Sequence, residues 1–145
     1  MIESGGARLG TQEDRFDLRV AARAERLHVI RRALDRLPLP PNLIDDAKLL
    51  TTELVTNSIR HARLGPDDRI RVTAHWSGTR LRVTVRDRRT RSGQTVVVGS
   101  IRPPPGAKSG WGLYLLDELA TRWGTNLDGT PCFWFEIELP RGAGG

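Results

Sequence analysis

The chain has 145 residues, 28% of them charged and 38% hydrophobic, with a formal net charge of +6 at neutral pH. That length suits one domain with a real core, no apolar run approaches a bilayer span, and the single cysteine, Cys132, excludes an internal disulfide framework and a cysteine zinc site. The opening Met1-Ile2-Glu3-Ser4-Gly5-Gly6 lacks the apolar core of a signal peptide, so a cytoplasmic location without membrane attachment is expected. All the basic residues except Lys48 and Lys108 are arginines, spread from Arg8 to Arg141. No aromatic residues interleave with them as a single-strand platform requires, which argues against direct nucleic-acid binding.

Residues 1–14 are glycine-rich and polar and read as a flexible tail. Phe16 to Val20 alternates apolar and polar side chains, the pattern of a half-buried strand. Ala21 to Leu37 reads as a helix with Ala24, Leu27, Ile30, Ala33, Leu34 and Leu37 on one face, ended by Pro38-Leu39-Pro40-Pro41. A second helix starts near Asn42, a candidate N-cap, and runs through His61-Ala62 to a stop at Gly65-Pro66. On it Ala47, Leu50, Leu54, Val55 and Ile59 form a broad apolar arc.

Ile70–Trp76 and Leu81–Asp87 then alternate around Ser77-Gly78-Thr79, a hairpin. Residues 88–109 are rich in Arg, Gly, Pro and Ser, with a short strand candidate at Val96-Val97-Val98. A loop of this length inside a small domain is a lid, a binding loop or disordered. A third helix is expected from about Gly110 to Arg122, with Leu113, Leu116, Leu119 and Ala120 inward. Trp123–Leu127 and Cys132–Leu139 read as two last strands turning at Asp128-Gly129, before a loose tail, residues 141–145. The order strand, two helices, hairpin, loop, helix, hairpin predicts an α+β, two-layer sandwich over residues 15–140. Its sheet is mixed and mostly antiparallel, with three main helices on one face.

Three constellations carry chemistry. Glu53 and Asn57 are four apart, so they stack on one side of the second helix, at the edge of its apolar arc beside Leu50. A glutamate at a cleft edge can accept a proton, and an asparagine carbonyl is a hard oxygen donor suited to Mg²⁺. Asp87 ends the apolar run of the hairpin, where a carboxylate can accept a hydrogen bond from an exocyclic amine or simply open a turn. Lys108-Ser109-Gly110-Trp111-Gly112-Leu113 opens a helix after a loop. Glycines there permit close approach to phosphate, and the free N–H groups of a helix start attract anions.

In this order the three motifs resemble the Bergerat-fold (GHKL) ATP-binding superfamily, which joins DNA gyrase, heat-shock chaperone ATPases, histidine kinases and MutL. The chain looks most like the small stand-alone anti-sigma-factor serine/threonine kinases of actinobacterial regulators. Glu53-Leu54-Val55-Thr56-Asn57 with His61-Ala62 is similar to the family's first box. Gly110-Trp111-Gly112-Leu113 with Leu116 is similar to its glycine box, and Cys132-Phe133-Trp134-Phe135-Glu136 to its last strand.

The resemblance implies that Glu53 is the general base, Asn57 the Mg²⁺ ligand and Asp87 the reader of adenine. Gly110, Trp111, Gly112 and Leu113 would form the phosphate-binding turn, and residues 90–109 the lid. It further implies ATP and Mg²⁺ as cofactors, and a sigma factor and an antagonist protein as partners; it is compatible with a homodimer. Two features depart from the family pattern. Its middle box, Asp-x-Gly-x-Gly, reads Asp87-Arg88-Arg89-Thr90-Arg91 here. The threonine that the family often carries near adenine falls at Thr130 or Cys132. A catalytically weak protein-interaction regulator with a degenerate nucleotide site is therefore the alternative expectation.

Overall fold

A computed structural model of the protein describes residues 14–61, 65, 67–87, 112–127 and 129–140. Strand β1 (Arg15–Ala21) leads through a 3-10 turn (Ala24–Arg26) into helix α1 (Leu27–Arg36) and helix α2 (Pro41–His61). The hairpin of β2 (Arg69–Trp76) and β3 (Arg80–Arg86) follows. Helix α3 (Gly112–Leu119) and the hairpin of β4 (Arg122–Leu127) and β5 (Thr130–Glu138) complete the described fold. The strands form one sheet in the order β1-β2-β3-β5-β4, and all four described ladders are antiparallel, with no parallel pair among the described residues.

The expected α+β sandwich is the observed one. Alternation along β2 and β3 turns Ile70, Val72, Ala74, Leu81, Val83 and Val85 to one face. Phe135 and Ile137 of β5 stand opposite Val83 and Leu81 on that face. There they meet Ile30 and Leu34 of α1, Ala47, Leu50, Leu54 and Val55 of α2, and Leu116 of α3 in a single core cluster. Burying a leucine or valine side chain of this kind contributes roughly 1.5–3 kcal/mol. Helix α2 touches both other helices as well as β3 and β5, so it is the element on which the helical layer is assembled. A Lys48–Asp35 ion pair, 2.6 Å, links it to α1.

Element ends differ from expectation for local reasons. The expected helix start at Ala21 is still sheet: Ala21 pairs with Arg69, and the Ala22 N–H donates to the Asp68 carbonyl at 2.9 Å. Ala24 is consequently exposed, in a 3-10 turn, and not on the buried face of α1. Leu37 adopts an extended backbone (φ −74°, ψ 143°), as a residue before proline must. Asn42 is not the N-cap of α2. Pro41 opens the helix, where its missing N–H costs nothing, and the Pro40 carbonyl accepts from Leu43 and Ile44. Arg122, expected in the third helix, belongs to β4 because Thr121 N–H already pairs with the Glu136 carbonyl at 2.7 Å. The turn at Gly129 has φ +79°, a conformation that glycine adopts freely.

The opposite face of the sheet carries polar side chains, and Glu136 is its anchor. Though on this outer face, it is only 3% exposed. Arg82 Nε donates to one carboxylate oxygen at 2.7 Å and Arg122 Nε to the other at 2.8 Å. Burial alone would raise the Glu136 carboxyl, but the two guanidinium groups outweigh it and hold its pKa below the ordinary glutamate value of 4.5. A folded-state pKa below the unfolded one stabilises the fold above about pH 4.5, and the contribution disappears as pH falls through the folded value. Glu136→Gln is therefore expected to cost about 1–2 kcal/mol at neutral pH, since both arginines keep access to water. Melting curves of parent and mutant should converge as the pH is taken below 4.5; a constant gap down to low pH would contradict the assignment.

Candidate functional site

Helix α2 has the length and amphipathy to display one polar edge beside a continuous buried stripe. Leu43, Ala47, Leu50, Leu54 and Val55 are buried, and Glu53 and Asn57 are both half-buried on the flank next to Leu50. The structure thus places both residues of the first constellation on one helical edge, at the margin of the core. His61 is the last residue of the helix.

Asp87 follows the last residue of β3 and is only 4% exposed. It continues the alternation Leu81, Val83, Val85, all buried, toward the layer in which α2 lies. A burial this complete is more than a turn-opening aspartate needs. Gly112 is the first residue of α3 and Leu113 the second, so part of the glycine motif does open a helix. Gly110, Trp111 and the expected lid, residues 90–109, lie outside the described residues, as do Arg89 and Arg91 and the strand expected at 96–98. Of the two candidates in the last strand, Cys132 is buried but is not part of the core cluster shared with α2. Burial pushes its thiol up, against the opposing effect of the adjacent Arg86. Thr130 is the first residue of β5.

Two further polar groups carry no motif in the sequence. Thr51 and Ser58 of α2 are 0% and 4% exposed, and neither hydroxyl oxygen has a hydrogen-bond partner among the described residues. A buried hydroxyl left without a partner costs on the order of 1–3 kcal/mol unless a water or ligand satisfies it. Ser58 directly follows Asn57 and is one turn beyond Leu54, at the centre of the stripe that α2 turns to the sheet. Its signal in the sequence is a hydroxyl at a position where the helical period demands an apolar residue.

These residues fit an adenine nucleotide with Mg²⁺. Asn57 would offer a hard carbonyl oxygen and Asp87 a buried carboxylate for an exocyclic amine, and the buried Ser58 hydroxyl has bonding capacity to spare. Among the described residues no group of three or more His, Cys, Asp and Glu side chains could hold a metal alone. Mg²⁺, however, ordinarily takes one or two protein oxygens and completes its shell with waters and phosphates. No described helix is long and apolar enough to cross a membrane.

The fold is a helical layer on one face of an antiparallel sheet, with a glutamate and an asparagine on the edge of its central helix. The family model of the histidine kinase-like ATPase domain matches residues 16–129, and the chain belongs to that family. Domains of this family bind ATP with Mg²⁺. No curated protein matches the chain.

Proposed function

We propose that the protein is an ATP- and Mg²⁺-dependent serine/threonine kinase of the anti-sigma type, which binds a sigma factor and phosphorylates a small antagonist protein. The observation that carries this reading is the half-buried pair of Glu53 and Asn57 on one edge of α2, above the sheet face that ends in buried Asp87. Asn57 would hold Mg²⁺ through its carboxamide oxygen, and Asp87 would accept a hydrogen bond from the adenine amine. Glu53 would take the proton from the attacking serine or threonine hydroxyl. The Gly110–Leu113 turn, with Trp111 and Gly112, would offer backbone N–H groups to phosphate oxygens. Bound Mg²⁺–ATP supplies the transferable phosphoryl group and neutralises its charge. Phosphoryl transfer otherwise demands mainly positioning, which a rigid helix edge provides.

Calorimetry of the full chain with ATP, with and without Mg²⁺, tests the reading, followed by transfer of labelled phosphate to a serine of the bound partner. Asn57→Ala is expected to leave the fold intact, because asparagine is a poor interior helix former. ATP affinity in the mutant should no longer respond to Mg²⁺. The same Mg²⁺ enhancement in mutant and parent would remove Asn57 from the metal.

A second reading, a protein-interaction regulator with weak or no catalysis, is favoured by Arg89 and Arg91 at positions where the family motif has glycine. A Cβ and a long stem there occupy space that a glycine leaves to the base. Tighter ATP binding by the double mutant Arg89→Gly, Arg91→Gly would support this second reading, and weaker binding would show that the guanidinium groups assist.

A further inference from the structure

The face of the sheet away from the helices is organised in rows by the strand register. One row runs Arg15, His75, Arg82, Glu136 and Arg122 across all five strands. The next runs Asp17, Thr73, Thr84, Trp134 and Gly124. The third sets Arg19, Arg71 and Arg86 directly opposite one another on β1, β2 and β3.

The middle row is nearly neutral and well fixed. The Thr73 and Thr84 hydroxyls bond to each other, and Trp134 Nε1 donates to the Asn126 carbonyl at 2.7 Å. A Cβ on Gly124 would meet the Trp134 indole at 2.9 Å, so glycine lets the ring pack directly on the β4 backbone. The arginine row breaks a rule of sheet construction, since like charges directly opposite destabilise a sheet. Only part of the conflict is relieved inside the protein: Arg71 grips Asp17 with two hydrogen bonds, 2.9 and 2.6 Å. Arg19 is exposed and feels the same Asp17 carboxylate without forming a close ion pair with it. Cations outnumber carboxylates on this face.

We propose that this face of the sheet docks an acidic surface of a partner protein. A neutral centre bearing a tryptophan and ringed by arginines has the anatomy of a protein interface. The exposed guanidinium forks of Arg19 and of Arg15, which also contacts Asp14 at 3.4 Å, suit carboxylates. A second copy of the chain fits poorly, because two such faces would set an excess of cations against an excess of cations. Nucleic acid fits less well than protein: Trp134 is the only indole or phenyl ring in the three rows, where strand-binding platforms stack successive bases. The inference does not rest on the nucleotide reading, since that site lies on the helical side of the sheet and the two can be occupied together.

An NMR titration of the isotope-labelled full chain with a glutamate-rich peptide tests it, beside single-stranded and duplex DNA oligonucleotides at the same salt. The peptide is expected to shift the amides of Thr73, Thr84 and Trp134. Arg15→Glu combined with Arg19→Glu, both exposed on the edge strand, should weaken the peptide at least about tenfold without moving the thermal midpoint. The proposal is overturned by no peptide binding, by shifts that gather on α1 and α2, or by affinity indifferent to the charge reversal. Tighter binding of either oligonucleotide than of the peptide, or a dimer of the chain that buries this face, would overturn it equally.

Discussion

Glu53→Gln is expected to bind ATP and Mg²⁺ as the parent does and to lose phosphoryl transfer by ~10²-fold or more, the usual contribution of a positioned general base. The amide has the size and shape of the carboxylate, so the edge of α2 should stay as it is, with Leu50 and Leu54 still buried beside it. What the amide lacks is a lone pair basic enough to take a hydroxyl proton. The substitution therefore separates binding from chemistry. Single-turnover transfer from ATP, measured beside calorimetric affinity in the same preparation, gives both numbers. Equal turnover in parent and mutant would strip Glu53 of the role, and a parallel loss of affinity would make it a binding group instead.

Glu53 and Asn57 are legible in the amino-acid sequence for a geometric reason. Residues four apart on a helix stack, and the helix itself is marked by Ala47, Leu50, Leu54 and Val55, all of which are buried. The alternation of the β2–β3 hairpin is equally plain, and it carries Asp87 to the end of β3. Less legible are features created by contacts distant in sequence. Arg122 looks like a cation closing a helix, yet it lies in β4 because its partner, Glu136, is one strand away. Ala24 matches the apolar period of α1 but falls before the helix starts, because β1 claims Ala21 and Ala22 through Arg69 and Asp68.

The same holds for the polar groups that the structure adds. Glu136 reads as one polar residue in an alternating strand, and only pairing with β3 and β4 brings Arg82 and Arg122 to it. The rows of the outer sheet face are likewise a property of register. Arg19, Arg71 and Arg86 are far apart in the chain and adjacent only once β1, β2 and β3 are aligned. Thr51 and Ser58 are hidden for another reason: short hydroxyl side chains are tolerated on many helices, and their buried, unpartnered state emerges only when the sheet covers them.

Asp87→Ala should weaken ATP by ~1–3 kcal/mol, the cost of losing a buried hydrogen bond to a charged group, which is roughly a five- to hundredfold loss of affinity. The expectation follows from position. A carboxylate 4% exposed at the end of β3, on the side of the sheet that α2 covers, has been taken out of water at a cost that hydrogen-bond donors must offset. Its two oxygens can accept several donors, and an adenine amine is suited to be one of them. The guanine edge presents a carbonyl oxygen at the same place and would be repelled. GTP, if it binds the parent at all, should therefore be little affected by the mutation, and the ATP-to-GTP preference should narrow. Because Asp87 is buried, the thermal midpoint of the mutant must be measured beside the affinities, so that a general loosening of the β3 end is not mistaken for lost recognition. A folded mutant that binds ATP as tightly as the parent would return Asp87 to a structural role and leave adenine to be read by other groups.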